Sequence, residues 1–268
     1  MLHPLLNGQA GRLAMIDSGC TAAWRPSTYI RYQLNRSTLD YLFITNADQD
    51  HMSDLKGLDE AGVSVSTLIR NPTYTGQQMA QIKALSGPLT RDANWYVEAC
   101  GSFNQPASEP FDTYMGGITA DWFFNPYPQF VNTNDLSLVV FIQFGAFKIL
   151  FPGDLETAGW RALLTDSAFL AQLATTNVLV ASHHGRQSGF CEEVFNYFTP
   201  DAVVISDKPI IHDTQRTVPD YRRVVRADGV MVRTTGKRRH VLTTRRDGSI
   251  TFRVSADGSY FIDTECAG

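Results

Sequence analysis

A chain of 268 residues, 43% hydrophobic and 19% charged, is long enough for one large α/β domain whose core can enclose a reactive centre. No apolar run reaches the roughly 20 residues that cross a bilayer, and residues 1–11 lack the basic start and apolar centre of a secretory leader, which favours a cytoplasmic protein and leaves membrane roles aside. The net charge of -4 hides a basic C-terminal span, and Cys20, Cys100, Cys191 and Cys266 form no CxxC pair, which argues against a disulfide framework or a thiolate zinc knot.

In chain order, Arg12 to Ile16 reads as a strand ending in the turn Asp17-Ser18-Gly19. A helix is expected over Ser27 to Leu34, a buried β-rich strand over Tyr41 to Thr45, a helix over Met52 to Asp59, a strand over Val63 to Ile69 and a helix over Tyr74 to Leu85. Ser86 to Pro128 is rich in Gly, Pro and aromatics and only weakly periodic. Its Trp95, Tyr96, Phe103, Phe111, Tyr114, Trp122, Phe123 and Phe124 either stack on a base or fill a small subdomain, core packing being the commoner use. Leu136 to Phe144 and Ala146 to Phe151 make a hairpin around Gly145 that leads into Pro152-Gly153-Asp154. A helix over Ala158 to Leu173 precedes a strand over Asn177 to Ala181, which runs into Ser182-His183-His184-Gly185. After the strand Ala202 to Ser206 come a loop with His212, a helix over Pro219 to Asp228 and strands over Val230 to Arg233, His240 to Thr244, Ile250 to Val254 and Tyr260 to Asp263. This alternation favours a layered α/β fold forming a single domain over residues 1–268.

Metal-binding side chains recur where the apolar strands end. Asp17 follows AMI, Asp48 to His51 follow LFIT, Asp154 follows KILFPG, His183 and His184 follow VLVAS, and His212 comes soon after VVIS. Strand ends of layered α/β proteins gather at one sheet edge, so loops distant in sequence are expected to meet there. Carboxylates and imidazoles are the ligands of Zn²⁺, Mn²⁺ and Fe²⁺. Any one of these acidic residues is also an ordinary turn or N-cap group, as Asp50 or Ser53 would be for the next helix; the ordered set is what points to one or two divalent ions.

The pattern resembles the metallo-beta-lactamase superfamily, in the branch of the hydrolase domain of ComEC-type DNA-uptake proteins. The matching motifs are IDSG at Ile16 to Gly19, TNADQDHMSD at Thr45 to Asp54, NTNDLSLVV at Asn132 to Val140, GDLE at Gly153 to Glu156 and SHHG at Ser182 to Gly185. The resemblance implies an αββα sandwich of four layers with a metal site at one edge. It also implies roles. Asp50, His51, Asp154 and His212 would hold one ion, Asp154 bridging; Asp48, Asp154 and one of His183 or His184 would hold the other. Asp17, Asn46 and Asn134 would support these ligands from behind, and Asp50 and Asp154 would be catalytic.

Departures from the family pattern are equally informative. Asn46 stands where the family has its first histidine, and an amide oxygen is a poorer ligand than imidazole, so one metal position should be weakened. Ser53 or Asp54 replaces a family glycine. The first hairpin strand is shortened or missing, which would leave a sheet edge to a protein partner or to self-association.

With metal bound, the expected reaction is hydrolysis by a metal-bound water. A phosphodiesterase or nuclease is favoured, because the branch is associated with nucleic acid and because Arg222, Arg223, Arg226, Arg233, Lys237, Arg238, Arg239, Arg245 and Arg246 could attract nucleic acid or a phosphorylated small molecule. Of these, Lys237, Arg238 and Arg239 are the candidate phosphate contacts. That span equally suits an ordinary solvated face, having no interleaved aromatics. The alternatives are hydrolysis of a small ester or lactone on the same frame and a catalytically degenerate binding or assembly module, which Asn46 would favour.

Overall fold

The structure, a computed structural model, describes residues 1–6, 8–105 and 111–266; residues 106–110 of the weakly periodic stretch lie outside the described residues. The chain is mixed α/β, with two compact units: residues 1–117 with 124–138, and residues 118–123 with 139–268. Among the described residues no helix is long and apolar enough to cross a membrane.

In the first unit a hairpin of two-residue strands, β1 (Leu5–Leu6) and β2 (Gln9–Ala10), precedes β3 (Ala14–Ile16). β3, β4 (Thr38–Phe43) and β5 (Ser64–Ile69) form a parallel three-stranded sheet with β4 in the middle. The three residues Tyr41, Leu42 and Phe43 at the end of β4 are all buried, the near-continuous apolar run of a parallel strand covered on both faces. β3 is met on its other side at an isolated antiparallel bridge between Leu2 and Ala14. The register sets Ile16, Phe43 and Ile69 in one row, so the loops that follow all leave the same edge.

Helices α1 (Pro26–Thr28), α2 (Gln49–Met52), α3 (Leu55–Glu60), α4 (Gly76–Ala84) and α5 (Arg91–Ser102) belong to this unit. The helix expected over Met52 to Asp59 is two short ones, and the one expected over Ser27 to Leu34 changes at Tyr29 to a wider turn through Gln33. Leu42, Ile44, Met52, Leu55, Met79 and Tyr96 meet in one core cluster. The start of α4 is fixed by a reciprocal cap: Thr75 Oγ1 accepts from the Gln78 amide and the Gln78 side chain accepts from Thr75 N. Thr75→Ala removes one half of that pair and is expected to lower unfolding stability by about 1 kcal/mol, measured as a shift of the urea midpoint at unchanged slope.

In the second unit, β6 (Ile118–Phe124), β7 (Leu138–Phe144), β8 (Phe147–Phe151), β9 (Val178–Val180), β10 (Ala202–Ile205) and β13 (Val241–Thr243) form a six-stranded sheet in the order β13-β10-β9-β8-β7-β6. β7 and β8 are the expected antiparallel hairpin, turning at Gly145 (φ 58°). From β8 through β9 and β10 to β13 the pairing is parallel, so four loops again leave one edge, the arrangement in which open α/β sheets build sites. A smaller sheet joins β11 (Val230–Val232), β12 (Lys237–Arg239), β14 (Ile250–Val254) and β15 (Tyr260–Thr264) in the order β12-β11-β15-β14.

The helix expected over Ala158 to Leu173 is broken into α6 (Thr157–Leu163) and α7 (Ser167–Ala174), because Asp166 caps the second by accepting from Ala168 N at 2.8 Å. Helices α8 (Val218–Val224) and α9 (Thr244–Asp247) complete the unit. Its core joins Val139, Phe141, Leu150, Trp160, Phe169, Leu179 and Tyr221, with Phe123, Phe141 and Phe169 meeting edge to face. Phe123 packs here, and Tyr96, Trp95 and Phe103 against the first unit's core, so these aromatics of the weakly periodic stretch are packing residues; Tyr114 is exposed.

Candidate metal-binding residues in each unit

In the first unit the shared exit edge of β3 and β4 makes Asp17 and the Thr45 loop neighbours. Asp17 Oδ1 accepts from Thr45 N at 2.7 Å, and Asp17 Oδ2 accepts from Thr45 Oγ1 at 2.6 Å and from His51 Nδ1 at 2.8 Å. Because a carboxylate only accepts, the His51 proton sits on Nδ1 and the ring lone pair on Nε2. This carboxylate–imidazole arrangement is the one that orients histidine ligands in metal sites. The backbone joins the same segments: Ser18 N donates to His51 O at 2.7 Å and Asp54 N to Ser18 O at 2.9 Å. A Cβ on Gly19 would lie 2.2 Å from the Asp50 carbonyl oxygen, so the IDSG glycine is required by this close approach. Asp50 is an exposed residue in the first turn of α2.

Asn46 is buried and committed at both ends of its amide: Oδ1 accepts from Asp48 N at 3.1 Å, and Nδ2 donates to Asn134 Oδ1 at 3.1 Å. Asp48 accepts from Thr133 Oγ1 at 2.8 Å on one oxygen and pairs with Lys83 Nζ on the other.

In the second unit the GDLE and SHHG loops leave adjacent parallel strands and are stitched together. Gly153 O accepts from His183 N at 3.0 Å and from Ser182 Oγ at 3.2 Å. Asp154 is 4% exposed. His183 Nε2 lies 3.8 Å from its Oδ2, and His184 Nε2 lies 3.7 Å from its Oδ1. Both separations exceed a hydrogen bond, whose N···O distance is about 3.2 Å at most. They resemble the spacing of about 3.4 Å between two donors that each sit about 2.1 Å from one tetrahedral ion.

The far sides of both rings are held. His184 Nδ1 donates to Ser206 O at 2.8 Å, and His183 Nδ1 faces Glu156 Oε1 at 3.2 Å and Ser188 Oγ at 3.1 Å. With Nδ1 held in this way, Nε2 is the nitrogen that each ring turns toward Asp154, a donor set that suits Zn²⁺ or Mn²⁺. The backbone is bent to achieve this. His183 and His184 have φ of 51° and 54° and Gly185 follows at 71°, a left-handed turn costing about 1–2 kcal/mol for each non-glycine residue. Beside Ser206, burial pushes the Asp207 carboxyl above the usual carboxylate range against the opposing pull of Arg245, which pairs with it at 2.8 Å.

The remaining expected residues are placed differently. His212 is exposed, and its backbone N donates to Gln215 at the start of a short turn. Arg239 forks onto the fully buried Asp247 at 3.0 and 3.3 Å, and Arg238 donates to the carbonyls of Asp228 and Gly229. Arg233 pairs with Asp263, Arg226 with Asp201 and Arg223 with Asp220. Arg245 pairs with Asp207, so among the described residues Arg222, Lys237, Arg238 and Arg246 are the members of the span without a carboxylate partner. The basic span is thus largely compensated from within.

Sequence reasoning overlooked Lys83 and Ser188, carried Thr133 and Glu156 only as motif letters, and gave Ser206 only as a strand end. Lys83 gave no signal, since a basic residue in the last turn of a helix is ordinary dipole chemistry. No protein-family model matches the chain, and none of the curated proteins matches it.

Proposed function

We propose that the chain is a metal-dependent hydrolase of metallo-beta-lactamase-like αββα architecture, acting in the cytoplasm on a phosphodiester. The observation that carries the reading is the second unit's buried Asp154, faced at 3.7 and 3.8 Å by two histidine Nε2 atoms whose Nδ1 atoms are held. The first unit supplies an independent sign of the same chemistry in the Asp17–His51 pair, and the motif order of the sequence supports the family. The second-unit residues assigned to an ion are Asp154, His183 and His184; in the first unit, His51 and Asp50 are assigned as metal ligands on the strength of the resemblance.

When bound, a divalent ion supplies Lewis acidity to a water and to the oxygen on which charge develops. The chain's own residues do the rest. Asp17 and the Ser206 carbonyl keep protons on the Nδ1 atoms of His51 and His184, so that neither ring turns a proton toward its ligand position. Asp154 brings negative charge into a buried place, where its interactions are strengthened. Asp50, exposed in the first turn of α2, is assigned by the resemblance to orient the attacking water.

The internal pairing of the C-terminal arginines favours a second reading, a small ester or lactone as substrate, because a long polyanion would find few uncommitted charges. The test is metal analysis and turnover of protein loaded with Zn²⁺ or Mn²⁺. At least one ion per chain is expected to survive dialysis, and hydrolysis of bis(p-nitrophenyl) phosphate should disappear with chelator and return with metal. Hydrolysis confined to p-nitrophenyl acetate or a lactone selects the second reading. A folded protein that retains no ion sinks both.

A further inference from the structure

The resemblance places a second ion at Asn46 and Asp48, and these residues do not suit one. Asp48 Oδ1 lies 2.5 Å from Lys83 Nζ, and the two side chains are only 30% and 18% exposed. Asp48 Oδ2 is taken by Thr133, and the Asn46 amide is bonded at its oxygen by Asp48 N and at its nitrogen by Asn134. An incoming dication would have to displace an ammonium group at contact distance against like-charge repulsion. It would also have to turn a buried amide off two hydrogen bonds, leaving their partners unsatisfied. Lys83 is carried by α4, whose Met79 is anchored in the first unit's core, so the ammonium is delivered from a fixed element rather than from a mobile loop.

We propose that Lys83 provides at Asp48 the positive charge that a second divalent ion would otherwise bring. An imidazole at position 46 and a divalent ion are both replaced, one by a bonded amide and the other by a covalently attached cation. Asp48 therefore serves as the counter-ion of Lys83. The total of one ion per chain rests on the hydrolase reading above; the exclusion of metal from Asp48 does not.

The experiment compares Zn²⁺ and Mn²⁺ stoichiometry, by equilibrium dialysis and elemental analysis, in the unaltered protein, in Asn46→His/Lys83→Met and in Asp48→Asn. The double variant is expected to bind one ion more than the unaltered protein, and Asp48→Asn the same number. A protein that takes no ion while its double variant takes one upholds the proposal and refutes the hydrolase reading. Two ions in the unaltered protein, a loss of one ion in Asp48→Asn, or no gain in a double variant with unchanged circular dichroism would overturn it. Should the double variant not fold, the unaltered protein decides. Its lysines are Lys56, Lys83, Lys148, Lys208 and Lys237, and the ¹⁵N resonance of the Lys83 ammonium, assigned by Lys83→Met or Lys83→Arg, should hold its position through a Zn²⁺ titration. Displacement of that resonance in step with added Zn²⁺ refutes the proposal.

Discussion

Asp154→Asn is expected to lower turnover of a bis-aryl phosphodiester by about 10³-fold or more and to release bound metal, with the circular dichroism and thermal transition of the fold retained. The substitution keeps the shape of the side chain and removes its charge. Asp154 is nearly inaccessible in the turn that follows β8, and its two oxygens each face the Nε2 of a different histidine beyond hydrogen-bonding distance. Activity within about tenfold of the original, with the ion still present, would mean that Asp154 is not where the chemistry occurs.

The second large effect is expected at Asp17, where stability and metal binding can be separated. Asp17→Ala strips the acceptor from Thr45 N, Thr45 Oγ1 and His51 Nδ1 at once; with Thr45 buried, the loss of unfolding free energy should be about 3 kcal/mol. Metal affinity should fall by about 10–100-fold, as when the partner of a ligating histidine is removed. Asp17→Asn should lose much less stability, since its amide oxygen still serves Thr45 N and asparagine tolerates the φ of 58° found here. Its NH₂ group would meet His51 Nδ1 donor to donor, however, which drives the ring to the other tautomer and places a proton on Nε2. The expected result is therefore an Asn variant close to the original in urea unfolding and close to the Ala variant in metal affinity. Equal metal affinity in Asp17→Asn and the unaltered protein would show that His51 Nε2 does not bind the ion.

Much of this was legible because the relevant loops follow short apolar strands. The runs AMI, LFIT, KILF and VLV read as buried strands by length and β-rich composition, and parallel pairing aligns their ends, so Asp17 with His51, and Asp154 with His183 and His184, become neighbours without detailed knowledge of packing. The stretch from Ser86 to Pro128 was opaque for a physical reason. Helix α5 presents Asp92, Ala93, Tyr96, Ala99 and Cys100 as its buried face. Its buried aspartate accepts from Lys56 N and Gln49 Nε2, which breaks the apolar periodicity that reveals a helix. In β6 the alternation is weak because no residue is fully buried. Lys83 could not be read as Asp48's partner because the pairing depends on tertiary placement across 35 positions.

The left-handed turn at His183 and His184 sets a conformational cost on the two rings that face Asp154. Glycine or asparagine would relax that backbone at either position. Two imidazoles held there run against the chain's own mechanical preference, so His183→Gly or His184→Asn would ease the backbone while removing a ring that faces Asp154.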